Sequence, residues 1–268
     1  MRTLPTLFLS HGSPMHALEP GRAGEAWASL AARLTRPRAV LVASAHWESA
    51  WPMLASGERP ETLHDFGGFP PELYRLRYAA PGAPEIAARA IALLDAAGIR
   101  ASANACRGRD HGAWVPLRHL YPAADVPVAQ VSIQPALPAA HSLEVGRALA
   151  PLAAEGVLVV GSGHLTHNLG EWMARAGRPA SAAGGTALYV EEFRAWVEAA
   201  LRDRDDTRIT RWAEEAPQAR RAHPSPEHFL PLPLAFGAAG PRPHIERIDC
   251  GVEGGVLAMD AYVFSPRG

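Results

Sequence analysis

Four histidines stand where short apolar runs give way to polar turns. They are His11 in Leu-Ser-His-Gly-Ser-Pro, His46 in Ser-Ala-His-Trp, His167 in Thr-His-Asn and His228 in Pro-Glu-His-Phe. Imidazoles drawn from distant parts of a chain bind a transition metal well, and the positions they leave open decide the chemistry. His11 and His46 each follow an apolar stretch of strand length. In an open α/β sheet the ligand crevice lies beyond the carboxyl ends of the strands, so two such imidazoles can face one ion. Taken singly, a histidine at a strand end is more often a structural hydrogen-bonder. Two in equivalent positions bring the structural and metal-binding readings level.

The segment from Ala222 to Phe229 offers three further donors, His223, Glu227 and His228. Its pattern predicts a helix capped by Ser225 with Pro226 at the first position, which puts Glu227 and His228 in the first turn. Gly161-Ser-Gly-His164-Leu-Thr-His167-Asn168 follows another apolar run; its glycines permit close backbone approach. A histidine there acts as an acid/base group or a further ligand, or else the segment is a glycine-rich turn with incidental histidines. In Arg109-Asp110-His111-Gly112, His111 either bonds a substrate oxygen or pairs with Asp110 at a turn. The loop 63–71 carries His64, Phe66 and Phe69, too aromatic for a linker and suited to lining a pocket. Trp47 and Trp114 either wall that pocket or pack in the core, the second being the better reading for Trp114.

The elements that must position these residues alternate between short apolar strands and Ala-rich helices, the pattern of an α/β domain. Strands are expected at Thr6–Ser10, Ala39–Ala45, Pro52–Ala55, Val126–Ile133, Val157–Gly161, Ile245–Cys250 and Leu257–Phe264. The run AVLVASA (39–45) is nearly continuous in apolar residues, as a strand covered on both faces requires. Helices are expected over Glu25–Leu34, Ala83–Ala97, Ala139–Ala154, Ala187–Leu201 and Thr207–Glu215, and a mobile surface loop over Arg175–Gly185. With 268 residues and no linker or repeat, one domain over 1–268 is expected, its central sheet mostly parallel or mixed, flanked by helices.

Composition removes several classes. A net charge of −1 steers neither nucleic acid nor an anionic membrane, and no apolar run reaches spanning length. Cys106 and Cys250 are too few for a disulfide framework and lack metal spacing, so a cytoplasmic protein is expected. No GxGxxG follows a strand, and no P-loop, HExxH or GxSxG elbow is present. Oligomeric state is not encoded in any pattern; a monomer or homodimer is the default.

Seven collinear strings resemble the class III extradiol ring-cleaving dioxygenases, in particular their 4,5-DOPA dioxygenase subgroup. They are SHGSP (10–14), SAHW (44–47), HDFGGFPPELY (64–74), RDHGAWVPL (109–117), PVAQVSI (127–133), GSGHLTHNL (161–169) and HPSPEHFLPL (223–232). The resemblance implies a mononuclear non-haem Fe(II) enzyme that opens a catechol ring with O₂, and whose site also accepts Zn(II). It implies His11, His46 and His228 as metal ligands. His167 matches the acid/base position and is a possible fourth ligand. His111 matches a histidine that contacts substrate. His164 departs from the pattern, since a related sequence would carry a small or amide residue there. On this reading His64, Phe66 and Trp47 line the substrate pocket.

Two other classes compete. A zinc-dependent hydrolase or Lewis-acid enzyme on the same residues would need neither O₂ nor a redox metal. A non-catalytic metal-containing binding protein would turn nothing over.

Overall fold

The computed structural model of the chain describes residues 3–176 and 185–266. Residues 177–184 of the expected surface loop lie outside them. Among the described residues ten strands are formed: β1 Thr6–Ser10, β2 Ala39–Glu48, β3 Met53–Ala55, β4 Ser102–Asn104, β5 Val128–Ile133, β6 Val157–Gly163, β7 His244–Ile248, β8 Val252–Glu253, β9 Leu257–Ala258 and β10 Ala261–Ser265. Eight of them build one sheet in the order β4-β3-β5-β2-β6-β1-β10-β7, while β8 and β9 pair separately. The centre, β5-β2-β6-β1, is parallel. The β1–β10, β10–β7 and β3–β5 pairings are antiparallel, so the sheet is mixed toward both edges.

The side chains of the central strands divide between two cores with a period of two. Phe8, Leu41, Ala43, Val157 and Val159 enter one cluster; Leu7, Leu9, Val40, Val42, Leu158 and Val160 enter the other. Successive residues of a strand point to opposite faces, so a continuous apolar run is what a strand covered by helices on both sides requires. Helices α1 (Gly21–Arg33) and α2 (Pro71–Arg75) precede α3 (Pro84–Ala96) and α4 (His111–Leu120). The chain then forms α5 (Ala139–Leu149), α6 (Pro151–Ala154), α7 (Leu169–Ala176), α8 (Leu188–Asp203), α9 (Asp206–Thr210), α10 (Trp212–Glu215), α11 (Ala219–Ala222) and α12 (Pro231–Ala238). Residues of α3, α5, α8 and α12 pack in the first cluster, and those of α1 and α4 in the second. No helix among the described residues is long and apolar enough to cross a membrane.

Several expectations need correction: the strand expected over Leu257–Phe264 is two, β9 and β10, and the helix expected over Thr207–Glu215 is two, α9 and α10. The helix expected over Ala139–Ala154 breaks before Pro151, which cannot donate to the preceding turn and instead opens α6. His46 does not follow its strand but lies inside it, because β2 runs on to Glu48. The segment Ser225–Leu230 forms turns and not a capped helix; the Ser225 hydroxyl donates to Glu227 at 3.0 Å, and the helix begins at Pro231, where a missing N–H costs nothing. Helix α4 is an addition to the expected elements. Its cap is Asp110, whose carboxylate accepts the Ala113 N–H at 3.2 Å. Asp110 and His111 therefore do not satisfy each other.

Candidate active site

The parallel strands bring the carboxyl ends of β1, β2 and β6 to one edge, and the histidines gather there. His11 is the first residue after β1, its N–H donating to Gly163 O at 2.9 Å. Gly12 then turns the chain with φ +68°, a conformation that disfavours side chains. Near His46 the ladder between β2 and β5 is irregular: Ala43 pairs with Val131 but Glu48 with Ile133, so the intervening residues of β2 bulge. Bulges re-aim side chains next to functional sites. His228 arrives on the turn before α12, which lies against the end of β6. A Cβ on Gly163 would fall 2.1 Å from the His228 carbonyl oxygen, so only glycine allows this approach. The His164 N–H closes the contact, donating to that oxygen at 2.8 Å.

Hydrogen bonding fixes which nitrogen is bare in His11 and His228. In α4, Pro116 lacks the N–H that would bond the Gly112 carbonyl four residues earlier. Ser162 Oγ donates to that carbonyl instead. Its proton committed, Ser162 Oγ accepts from His11 Nδ1 at 3.0 Å, which leaves the His11 Nε2 lone pair free. His228 Nδ1 donates to Glu227 at 2.9 Å, and its Nε2 is buried without a partner. His46 Nε2 faces His11 Nε2 at 3.0 Å. Donor atoms of His11, His46 and His228 all lie within 4.8 Å of one another.

This arrangement fits a metal ion. Two nitrogens bound to one ion at ~2.1 Å stand ~3.0–3.4 Å apart for bond angles between right and tetrahedral, the spacing of the His11 and His46 Nε2 atoms. Without a cation, one mismatch is unavoidable. Either two lone pairs face each other, or His46 carries its proton on Nε2 and turns a bare Nδ1 toward the Asp65 carboxylate 3.6 Å away. Burial, then the charges of neighbouring imidazoles, holds His11 and His228 well below the ordinary histidine value. Burial and then His111 bring His46 down to about 4. All three are neutral near pH 7, the state a metal requires.

Two further histidines flank the trio. His111 heads α4 with its ring 4.0 Å from that of His46. Asp65 accepts both its backbone N–H, at 2.8 Å, and its Nδ1–H, at 3.0 Å. Burial raises the Asp65 carboxyl, but the His111 hydrogen bond and charge outweigh it and leave it at about 2. His167 stacks on His228 with centroids 3.5 Å apart and planes 12° apart. Its ring nitrogens bond no protein group among the described residues. Burial first, then the charges of His223, His46 and His111, lower it to about 3. His164 is also in the cluster, 5.4 Å from the His11 ring and 5.2 Å from the His167 ring, with Nδ1 buried and unpartnered.

The expected pocket residues separate. Phe66 stands edge-on to His111 at 5.7 Å. His64 turns away, its Nε2 donating to Leu76 O at 3.1 Å and its ring against Trp114. Trp47 is buried beneath the Arg107 guanidinium, 5.1 Å from its centroid, and stacks on none of the histidines among the described residues. Trp114 is core, its indole N–H bonded to Leu63 O. Sequence reasoning missed Ser162 and Asp65, which act through hydrogen bonds to ring nitrogens. It also missed Asp110 as a hub. This fully buried carboxylate takes Ser44 Oγ at 2.6 Å, Gln130 Nε2 at 2.8 Å and Arg107 Nη2 at 2.9 Å. Arg107 also bonds the His46 carbonyl at 3.1 Å, tying the hub to the bulge.

Comparison with known proteins identifies the family of the chain. Residues 5–250 match the family model described as the catalytic LigB subunit of aromatic ring-opening dioxygenase. A 4,5-DOPA dioxygenase extradiol of Beta vulgaris is 40% identical over 97% of this chain and 96% of its own length. One from Escherichia coli K12 is 37% identical over 96% and 93%. The crystal structure of an uncharacterized Escherichia coli K12 protein superposes with a TM-score of 0.78 at 33% identity, covering 98% of this chain and 100% of that one. The seven motifs and these near full-length matches together show that the chain belongs to the LigB family, the class III extradiol ring-opening dioxygenases.

Proposed function

We propose that this protein is an Fe(II)-dependent dioxygenase that opens the ring of a DOPA-like catechol beside its two hydroxyls. The observation that carries the proposal is the convergence of three neutral imidazoles, of which His11 and His228 have Nε2 left bare by their own hydrogen bonds, between two further histidines with free nitrogens. His11, His46 and His228 would hold the metal. An Fe(II) held there supplies open positions for the catechol oxygens and O₂, and a route for electrons from one to the other.

The protein's own groups do the rest. His167, neutral and lying flat against His228, is placed to take a catechol proton and return it during ring opening. An anionic catecholate beside it raises its otherwise low proton affinity. His111, with Nδ1–H held by Asp65, turns its other nitrogen to a substrate or dioxygen oxygen. Phe66 offers an edge for a planar ring. Burial of the cluster keeps water from competing for the open positions.

Oxygen uptake tests the proposal. Protein stripped of metal and reloaded anaerobically with Fe(II) should consume one O₂ per L-DOPA or related catechol, giving a yellow product heavier by both oxygen atoms. Absence of uptake across a catechol panel, with iron loading confirmed, would overturn it. An all-imidazole donor set suits Zn(II) as well as Fe(II), which keeps the Lewis-acid hydrolase as the second reading. Ester or amide turnover by zinc-loaded protein would favour it.

A further inference from the structure

Asp65 enters the site from the aromatic loop that carries Phe66, and it does more than hold His111. Its Oδ1 accepts the His111 backbone N–H at 2.8 Å and its Oδ2 accepts His111 Nδ1–H at 3.0 Å. The same Oδ2 stands 3.6 Å from His46 Nδ1. The two rings lie 4.0 Å apart, so one carboxylate oxygen faces the Nδ1 of both. At 3.6 Å the His46 contact is longer than a hydrogen bond. Metal on Nε2 makes the opposite N–H a stronger donor, and ligating histidines commonly give that proton to a carboxylate.

The donor atoms of His46, Asp65 and His111 also lie within 4.8 Å of one another, so Asp65 itself has to be weighed as a ligand. Its hydrogen bonds speak against that. Both oxygens are taken by His111, and the His46 nitrogen toward Asp65 is the one opposite the Nε2 that faces His11. Ligation by Asp65 would require His46 to turn around and leave the trio.

We propose that Asp65 is a positioning residue that orients His46 and His111 together, aiming the Nε2 of each into the site and locking the Phe66 loop to them. Substrate wall, metal ligand and substrate-contacting histidine then move as one body. The substrate half of this proposal rests on the dioxygenase reading; the metal half does not.

The test uses Asp65→Asn, which keeps size and one acceptor but turns an NH₂ toward an N–H, and Asp65→Glu, which keeps the carboxylate. Zn(II) affinity is read by competition with a chromophoric chelator. Binding of 4-nitrocatechol to zinc-loaded protein is read by absorbance under argon. Asp65→Asn should weaken Zn(II) binding roughly 10–100-fold and 4-nitrocatechol binding about 10-fold, and Asp65→Glu should restore part of both. Unchanged affinities in Asp65→Asn would overturn the proposal, as would Asp65→Glu binding no better than Asp65→Ala. Should Asp65→Asn not fold, the comparison of Glu with Ala decides alone. Neither readout needs turnover. Weakened zinc binding in Asp65→Asn beside a wild type that consumes no O₂ would uphold the role of Asp65 while sinking the dioxygenase reading.

Discussion

Replacing Ser162 by Ala tests the logic of the whole site, because this hydroxyl connects a helix defect to a proposed metal ligand. Pro116 leaves the Gly112 carbonyl without its helical donor, Ser162 Oγ supplies one, and the oxygen so oriented accepts His11 Nδ1–H at 3.0 Å. Ser162 is 1% exposed, so no water replaces the lost group. Ser162→Ala therefore strands two buried polar groups at about 1–3 kcal/mol each, or about 2–6 kcal/mol for metal-free protein in urea. His11, no longer held, is free to place its proton on either nitrogen. Metal affinity should fall ~10–100-fold, about 1.4–2.8 kcal/mol. The two losses are separable, since the first is read by denaturation without metal and the second by chelator competition on folded protein. Pro116→Ala offers a matched control: it gives Gly112 a competing donor while leaving Ser162 in place, so it should affect metal binding much less than Ser162→Ala. Unaltered zinc affinity in Ser162→Ala, at any stability, would refute the idea that this relay sets the His11 tautomer.

Gly163→Ala drives a methyl onto the His228 carbonyl oxygen 2.1 Å away; the turn carrying His228 must shift, and zinc stoichiometry measured by atomic absorption should drop well below one. His167→Ala should keep its metal and lose ~10²–10⁴ in kcat; metal loss with an undiminished rate per bound iron would rule out the acid/base role. His223 lies outside the trio, its Nε2 donating to Leu165 O at 2.9 Å, and burial lowers it to about 4. The unfolded chain takes up that proton near pH 6.5, so between pH 6.5 and 4 the unfolded state binds more protons and stability falls as pH falls, by about 3 kcal/mol at pH 4 from this group. In His223→Gln the decline in urea midpoint over that interval should be visibly shallower. Finally, zinc-loaded protein should bind a monomethylated catechol, limited to one anionic oxygen, at least ~10-fold more weakly than the parent catechol, as read by displacement of 4-nitrocatechol.

The parts of this molecule that are legible in its sequence share one property: their signal is local. Strand β1 reads correctly residue for residue because Thr6–Ser10 is bounded by Pro5 and by the polar turn at His11. The candidate ligand histidines stand out because imidazole is rare enough for position to matter. Non-local causes hide the rest. A strand end read from apolarity alone misses a bulge, so the apolar run of β2 stops at Ala45 although sheet pairing carries the strand through His46 and on to Glu48. The helix expected to start at Pro226 starts instead at Pro231, because packing of α12 against α5 and β6 sets its bounds, with Pro231 and Pro233 in its first turn. Asp65 lies inside a recognised string, yet nothing in its neighbours shows that its partner is a histidine 46 positions away.

The charge balance ties these observations to the chemistry. Three neutral imidazoles leave a divalent ion its full charge, whereas a carboxylate ligand would remove part of it. The carboxylates nearest the site, Asp65 and Glu227, stand behind the imidazoles and take their Nδ1 protons, as Asp65 does for His111 and Glu227 for His228. From there they would make the ring nitrogens better donors to a bound metal while leaving its open positions electrophilic. Burial, then the charges of His223, His46 and His111, keeps His167 neutral in the absence of substrate. A doubly deprotonated catechol answers both conditions: its two oxygens match the dication, and its negative charge makes protonation of His167 favourable only once it is bound. On the proposed mechanism the proton would be accepted when substrate is present and not before, which would couple the acid/base step to occupancy of the site.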